Sequence, residues 1–228
     1  MLNIALIPAR KKSKRIKNKN IKMFNGKPMI YWTIKAAKKS KLFKTIYVDT
    51  DCKKIKKISI KYGAEVPFLR KKKYANDKTS VNVSTYQFLL NLKTIKKERI
   101  KNIFQLMPNC PFRDENDIKK TYQQFCNSKS KFLITHIKFY FSNPWWSVSI
   151  KKNKVLKLFK NAYRKRSQDL PELFAPSGAI WIADYKSFLK SKTFYGKQYN
   201  VSVIDWKKGI DIDTIKEFQI AKLLNKEK

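Results

Sequence analysis

The sequence predicts an α/β fold of three layers, with a mainly parallel sheet between layers of helices. Short apolar segments alternate with segments of helical periodicity along most of the 228 residues, and this order is typical of β-α-β units. The length suits one domain with a full core. The 15 Phe, 11 Tyr and 5 Trp indicate a folded chain, since disordered chains contain few aromatic residues. We therefore expect residues 1–228 to form a single domain.

The first strand is predicted at Asn3–Ala9, an apolar run close to the N-terminus. The run is too short, and too soon followed by positive charge, to be a signal peptide or a membrane span, so no insertion into a membrane is expected. Further strands are predicted at Thr45–Asp49, Asn102–Met107, Phe132–Lys138, Gly178–Ala183 and Val201–Asp205.

Helices are predicted where apolar residues recur at helical spacing. The first begins at Pro28, since proline suits the first helical position. The second runs from Asp51 to Tyr62 and is closed by Gly63, because glycine accepts the left-handed conformation that often ends a helix. The remaining helices are expected at Ser80–Leu92, after Asp114 and after Thr214.

Two features near the end of the chain complete this outline. Thr214 and Glu217 have the spacing of a capping box, which predicts the start of the last helix. The segment Ser142–Glu172 has neither strand nor helix periodicity, and we expect it to leave the sheet as a small insertion. Trp145 and Trp146 within it are typical of an interface between subunits, although local packing explains them equally well.

The charge of the chain is strongly positive. It has 53 Lys and Arg against 16 Asp and Glu, a net charge of +37, which taken alone predicts nucleic acid or an anionic membrane as a partner. The lysines are spread over nearly every segment, for example Lys53 and Lys54 on a predicted helix surface. This spread favours a general lysine enrichment, so nucleic-acid binding is not expected and remains the alternative from another functional class.

The three cysteines indicate neither a disulfide framework nor a zinc site. Cys52, Cys110 and Cys126 are odd in number, widely spaced and lack a neighbouring group of histidines. We therefore expect the protein to work in a reducing cytoplasm.

The loop after the first predicted strand concentrates positive charge. It reads IPARKKSKRIKNKNI at positions 7–21 and is followed by GKPMI at 26–30. In an open parallel sheet, ligands bind beyond the carboxyl ends of the strands, where cations with hydroxyl and amide donors neutralise a triphosphate. A basic loop without further signals is more often a solvated run of charge.

This loop resembles the signature IPARGGSKRIPxKNI…GKPMI of acylneuraminate cytidylyltransferases. The resemblance implies a Rossmann-like nucleotidyltransferase fold, a dimerisation excursion at residues 142–172 and a homodimer. It implies an enzyme that transfers CMP from CTP to the anomeric hydroxyl of a sialic-acid-like nonulosonic acid and releases pyrophosphate. Lys11 and Lys12 stand where the family has two glycines, and Lys17 where it has proline, so we expect a different backbone path for the loop.

Other motifs extend the resemblance from Ile4 to Leu223. VPFLR at 66–70 is similar to the family's PFxRP, and NDKTS at 76–80 to its DxTS at the cytosine pocket, where a simple helix N-cap at Asp77 or Ser80 is an equal alternative. The implied nucleotide-binding residues are Ala9, Arg10, Ser13, Lys14, Lys19, Asn20, Arg70 and Ser80.

The acceptor site is implied by the last segments of the resemblance. QLMPNCPFR at 105–113 is similar to LLQPTSPLR, and the segments from 166 and 176 are similar to RQxLP and PNGAIY. The implied substrate-binding residues are Asn109, Arg166, Gln168, Ser177, Phe194 and Tyr195. Met107 replaces a glutamine that binds substrate in the family, so pseudaminate, legionaminate or 3-deoxy-octulosonate is an alternative acceptor. Ordinary packing explains the two aromatic residues equally well.

The segment GIDIDT at 209–214 resembles the family's DIDT motif. In an extended chain, alternation places Asp211 and Asp213 on the same side, and Mg²⁺ prefers one or two carboxylates together with phosphate oxygens and water. Outside such a context, an Asp-x-Asp before a helix is more often a cap. The two aspartates are the predicted magnesium ligands, and the predicted catalytic residues are Arg10, Lys14, Lys19 and Asp211.

Overall fold

The strands and helices follow the order along the chain that the sequence predicts. The computed structural model describes residues 2–97 and 99–224. The strands are β1 (Leu2–Pro8), β2 (Met23–Phe24), β3 (Lys27–Pro28), β4 (Thr45–Asp49), β5 (Ile100–Gln105), β6 (Phe132–Lys138), β7 (Val148–Lys151), β8 (Lys154–Lys157), β9 (Phe174–Asp184) and β10 (Asn200–Val203). The helices are α1 (Met29–Ser40), α2 (Lys53–Lys61), α3 (Val81–Ile95), α4 (Glu115–Asn127), α5 (Tyr185–Ser191) and α6 (Ile215–Leu224).

The main sheet has six strands in the order β10-β6-β9-β5-β1-β4. Its strands pair in parallel except for β9, which is antiparallel to both β5 and β6. A parallel connection needs a crossover, usually a helix. The segment between β6 and β9 forms a hairpin and short 3-10 turns instead, which agrees with the antiparallel direction of β9. Three of the five strand pairs are parallel, so the prediction of a mainly parallel sheet is confirmed.

Helices cover both faces of this sheet, which accounts for the continuous apolar run of β1. Ile4 and Leu6 pack in one core cluster with Phe88 of α3. Ala5 and Ile7 pack in another with residues of α1. Successive side chains of a strand point to opposite faces, so a strand buried on both faces has no polar alternation. The two clusters give the predicted three layers.

The ends of the helices agree with the sequence patterns to within a few residues. Pro28 is extended, with φ −59° and ψ 143°, and α1 begins one residue later than predicted. Gly63 has φ +90° and its N–H donates to the carbonyl of Ile60 at 2.9 Å. The capping box is confirmed: the Thr214 N–H donates to Glu217 Oε2 at 2.7 Å and the Glu217 N–H to Thr214 Oγ1 at 3.2 Å.

Residues 142–172 lie outside the main sheet, and we call them the excursion. They contain the antiparallel hairpin β7–β8 and three short 3-10 turns. Trp145 packs edge-on against Phe159, with ring centroids 5.0 Å apart. The hairpin region nevertheless exposes large apolar side chains, including Ile150, Val155, Leu156 and Leu158.

No helix within residues 2–97 and 99–224 combines the length and the apolar character that crossing a membrane requires.

Candidate active site

A cleft of about 630 Å³ lies beyond the carboxyl ends of β1 and β5. The basic loop that follows β1 forms one wall, with side chains that include Arg10, Ser13, Lys14, Lys19 and Asn20. The opposite wall includes Met107, Asn109, Trp181, Asp211 and Asp213. Binding beyond the carboxyl ends of parallel strands is the position that the open-sheet architecture favours.

The two walls meet at Asp213. Lys19 Nζ lies 2.6 Å from Asp213 Oδ1, and Arg15 Nη2 lies 2.6 Å from its Oδ2. Asn109 Nδ2 also donates to Oδ1, at 3.1 Å. Burial acts to raise the pKa of Asp213, but the bonds and charges of Lys19 and Arg15 outweigh it and hold this pKa below its usual value. Asp213 is therefore an ionised carboxylate that joins both walls.

Asp211 is the more buried member of the acid pair, and its orientation is fixed from two sides. The Gly178 N–H donates to Asp211 Oδ2 at 3.1 Å, and Cys110 Sγ donates to Oδ1 at 2.8 Å. A Cβ atom at Gly178 would lie 2.6 Å from Asp211 Oδ1, so only glycine allows the carboxylate this close. Burial raises the pKa of Asp211, and the nearby charge of Asp213 adds to the effect.

The outer part of the cleft contains a second group of paired charges. Arg10 Nη1 lies 2.6 Å from Asp77 Oδ1, and Lys14 Nζ lies 2.9 Å from Asp77 Oδ2. Hydrogen bonds from Lys14 and Arg10 lower the pKa of Asp77. Four cations of the basic loop are thus paired with two carboxylates.

The path of the basic loop does not require the two glycines that the family has. Lys11 and Lys12 both lie outside the positive-φ region, and the Lys11 N–H donates to Asp51 Oδ1 at 2.6 Å. Asn20 ties the loop together, because its Nδ2 donates to the carbonyl of Arg10 at 3.0 Å. The buried Oδ1 of Asn20 has no hydrogen-bond partner, and Asn20 is among the residues that line the cleft.

Three predicted nucleotide-binding residues have other surroundings. Ala9 is fully buried. Arg70 forms a buried ion pair with Asp49, at 2.7 Å between Arg70 Nη2 and Asp49 Oδ2. Ser80 caps α3, accepting from the Val83 N–H at 3.3 Å. None of the three lines the cleft, so their contacts with a nucleotide stay predictions.

Of the predicted acceptor residues, Asn109 and Tyr195 lie at or near the cleft, whereas Phe194 lies in the core. Asn109 lines the cleft, and Tyr195 is 41% exposed with its ring 5.5 Å from that of Trp181. Phe194 is 0% exposed and packs against Phe188 in the core, so the prediction that it covers a sugar is wrong.

Ser177 also points into the protein rather than into the cleft. It is 1% exposed. Its Oγ donates to the carbonyl of Gly209 at 2.8 Å and accepts from the Ala179 N–H at 3.1 Å. The predicted contact of this hydroxyl with an acceptor is wrong for this arrangement, because its bonds instead hold Gly209, two residues before Asp211.

Arg166 and Gln168 lie in the excursion, away from the cleft of their own chain. Arg166 Nε donates to Asp169 Oδ2 at 2.8 Å, a pair of neighbours three residues apart. Gln168 lines a separate cavity of about 400 Å³ with Lys138 and Asn143. One chain therefore does not bring these two residues to the acid pair.

The acid pair fits a magnesium ion bound together with phosphate. Within residues 2–97 and 99–224, no three His, Cys, Asp or Glu side chains are grouped to hold a metal. Mg²⁺ that is shared with substrate phosphates needs only one or two carboxylates from the protein, and Asp211 and Asp213 line one cleft. Burial raises the pKa of Asp211, and the charge of Asp213 adds to this effect. A divalent cation would relieve the repulsion between the two carboxylates.

Comparison with known proteins decides the family. A family model described as cytidylyltransferase matches residues 4–226. The pseudaminic acid cytidylyltransferase of Campylobacter jejuni subsp. jejuni serotype O:23/36 is 30% identical over 226 residues, which cover 99% of this chain and 97% of the relative. The chain belongs to the cytidylyltransferase family. This confirms the resemblance seen in the basic loop and identifies the protein as a nucleotidyltransferase.

Two further comparisons agree with this family. The CMP-N,N'-diacetyllegionaminic acid synthase of Campylobacter jejuni subsp. jejuni serotype O:2 is 34% identical over 222 residues, which cover 97% of this cytidylyltransferase and 94% of the relative. A structure of CMP:2-keto-3-deoxy-manno-octonic acid synthetase complexed with CTP has a TM-score of 0.72 at 14% identity and covers 99% of this chain and 98% of its own. That structural likeness confirms the predicted fold.

Trp181 and Asp77 line this cytidylyltransferase cleft and were not among the predicted site residues. The Trp181 Nε1 donates to the carbonyl of Ser177 at 2.7 Å. The sequence signal that could have identified Trp181 is its alignment with the tyrosine of the family motif PNGAIY. Asp77 was considered only as a cap or as part of the cytosine pocket. Its pairing with Arg10 and Lys14 depends on contacts more than 60 residues apart, for which the local sequence has no signal.

Proposed function

We propose that the cleft binds CTP with its phosphates against the basic loop and transfers CMP to the anomeric hydroxyl of a nonulosonic acid. The observation that carries this proposal is the 2.6 Å contact of Lys19 with Asp213. Cations suited to a triphosphate and carboxylates suited to magnesium meet there in one cleft. The cations alone, or the carboxylates alone, would not distinguish the active site of a phosphate-binding enzyme from an ordinary charged surface.

In the proposed reaction, the sugar hydroxyl attacks the α-phosphorus of CTP in line and pyrophosphate leaves. Arg10, Lys14 and Lys19 then act by position and charge, holding the phosphates and stabilising the negative charge of the leaving pyrophosphate. Asp211 and Asp213 would hold Mg²⁺, which supplies charge neutralisation at the phosphate oxygens when it is bound. Asn20 lines the cleft, and its Oδ1, which has no hydrogen-bond partner, would accept a hydrogen bond that a ribose hydroxyl donates.

We infer pseudaminic acid as the preferred acceptor among nonulosonic acids. The support is the pseudaminic acid cytidylyltransferase similar over 97% of its length, together with Met107 in the cleft at the position of the family's glutamine. N,N'-diacetyllegionaminic acid is the second candidate, because the synthase named for it is 34% identical.

Pyrophosphate release tests this proposal directly. The purified enzyme is incubated with CTP and Mg²⁺ and, in separate reactions, with pseudaminic, N,N'-diacetyllegionaminic, N-acetylneuraminic and 3-deoxy-octulosonic acids. We expect the highest kcat/KM with pseudaminic acid. A higher value with another acid would overturn the acceptor and leave the reaction class intact, whereas no release with any of them would overturn both.

We further propose that the enzyme is a homodimer in which the excursion completes the acceptor site of the neighbouring subunit. Two features support it: Arg166 and Gln168 lie away from their own cleft, and the excursion exposes apolar side chains such as Ile150, at 70%, and Leu156, at 58%. Exposed apolar patches of this kind are typical of interaction surfaces.

Sedimentation and subunit complementation test the dimer. We expect a dimer by sedimentation, and partial recovery of activity when Lys19→Met and Arg166→Ala proteins, each of reduced activity, are unfolded and refolded together. A monomer, or no recovery from two proteins that both refold, would contradict the shared site.

We also propose a cytoplasmic location. Its support is that Cys52, Cys110 and Cys126 are free thiols, since structural disulfides form in oxidising compartments. Cell fractionation with detection of the protein in a periplasmic or secreted fraction would contradict it.

A further inference from the structure

Two cations of the basic loop share one carboxylate. Arg10 and Lys14 each bind a different oxygen of Asp77, at 2.6 and 2.9 Å. A phosphoryl group offers its oxygens to two cations in the same way. Asp77 also lines the cleft itself, so its carboxylate is at the place that the proposed function gives to phosphate.

Local structure presents Asp77 to the loop. Asn76 Oδ1 accepts from the backbone N–H groups of Lys78 and Thr79, both at 2.9 Å, and Thr79 Oγ1 donates to the carbonyl of Lys73 at 3.3 Å. Asp77 therefore lies in a hydrogen-bonded turn that fixes the position of its backbone.

The contact is also easy to exchange. The Asp77 side chain is 40% exposed and that of Lys14 is 77% exposed, and ion pairs open to water contribute little because water and salt compete with them. A triphosphate with about four negative charges competes strongly with a single carboxylate for the same cations.

We propose that Asp77 takes the place of a CTP phosphate in the nucleotide-free enzyme and is displaced by that phosphate, so that it sets the affinity of the cleft for polyphosphate. This inference rests on the proposed function only in its use of CTP. In a protein with a net charge of +37, the carboxylate keeps Arg10 and Lys14 from attracting any small anion and favours ligands with several charges.

Direct binding measurements on Asp77→Asn test the inference. Calorimetry without a sugar acid compares wild type and variant, using CTP and, separately, tripolyphosphate as a probe of the phosphate tail alone. We expect roughly three- to tenfold tighter binding of both ligands, the range that loss of two exposed competing ion pairs allows. The matched control is Glu65→Gln, which removes the same charge from an ion pair with Lys96 that lies outside the cleft and outside the excursion and is expected to leave both affinities unchanged.

Opposite results identify the alternatives. Unchanged or weaker tripolyphosphate binding by Asp77→Asn overturns the inference, and if only CTP binding weakens, Asp77 contacts the nucleoside instead. Equal tightening in Glu65→Gln also overturns it, since the effect is then one of total charge. Asp77→Glu, which keeps the charge, should bind like wild type and guards against misfolding of the first variant. Tightening without CMP transfer to any sugar acid would leave this inference standing while the acceptor proposal fails.

Discussion

The proposed nucleotide half and the proposed acceptor half of the cleft differ in how many of their predicted residues a single chain brings to the cleft. In the nucleotide half, six charged side chains form contacts of 2.6 to 2.9 Å: four cations of the basic loop, Asp77 and Asp213. In the acceptor half, the aromatic rings of Trp181 and Tyr195 lie beside the cleft. Arg166 and Gln168, the polar residues predicted for that half, lie in the excursion.

This difference has a physical origin in how each half is built. The nucleotide half comes from one short loop after a buried strand, the turn at Asp77 and one Asp-x-Asp segment, which the fold of a single chain brings together. The acceptor half draws on segments far apart in sequence and, in our proposal, on a second subunit. Changes in the nucleotide half should therefore affect CTP in any assembly state, whereas changes in the acceptor half should affect the sugar.

The largest effect is expected for Asp211→Asn. Asparagine keeps the shape of the side chain but removes the charge that would hold magnesium, and loss of one such electrostatic group typically lowers kcat by about 10²- to 10³-fold. The fold should remain, because burial already disfavours the ionised form of Asp211. Initial rates of pyrophosphate release and thermal unfolding measure both. Activity within a few fold of wild type would remove Asp211 from the magnesium site.

Lys19→Met should lower kcat/KM for CTP by about 10- to 100-fold, the effect of losing one hydrogen bond to a charged group. The KM of the acceptor should not change. Lys53→Met is the matched control, since Lys53 is exposed on α2 and its loss removes the same charge. An equal effect in both variants would mean that total charge, not the contact with Asp213, governs CTP binding.

Tyr195→Ala should raise the KM of the acceptor by about 2- to 12-fold, as expected for loss of one aromatic contact of about 0.5–1.5 kcal/mol. The KM of CTP should stay the same, because Tyr195 lies on the Trp181 side. Steady-state kinetics with each substrate varied in turn make the measurement. A change confined to CTP would place Tyr195 in the nucleotide half.

The smallest effect is expected for the free energy of unfolding of the Lys19→Met variant and its dependence on pH. The pKa of Asp213 in the folded protein lies below its usual value of 3.8, so its ion pairs stabilise the fold above that value and are lost as the pH falls through the lowered pKa. Lys19→Met should lower the free energy of unfolding by about 0.5–1 kcal/mol near neutral pH. Thermal unfolding down to about pH 3 should show the difference from wild type shrinking; a difference that grows in acid would contradict the ionised state of Asp213.

Sequence patterns alone predict several elements of the fold and of the candidate site. The apolar run at Asn3–Ala9 predicts a central strand, the signature at 7–21 predicts the phosphate-binding loop, and Thr214 with Glu217 predicts the start of the last helix. These features depend on neighbours within a few residues, because strand alternation and helix caps act over that range.

Tertiary structure alone decides the rest. The antiparallel direction of β9, the burial of Phe194 beside the exposed Tyr195 and the pairing of Asp77 with Arg10 all depend on contacts between distant segments. Phe194 and Tyr195 are adjacent aromatic residues, and the local sequence does not indicate which of them is buried. Packing against the core buries Phe194 and leaves Tyr195 exposed. Local chemistry can thus name the groups of a site, whereas the fold determines which of them meet.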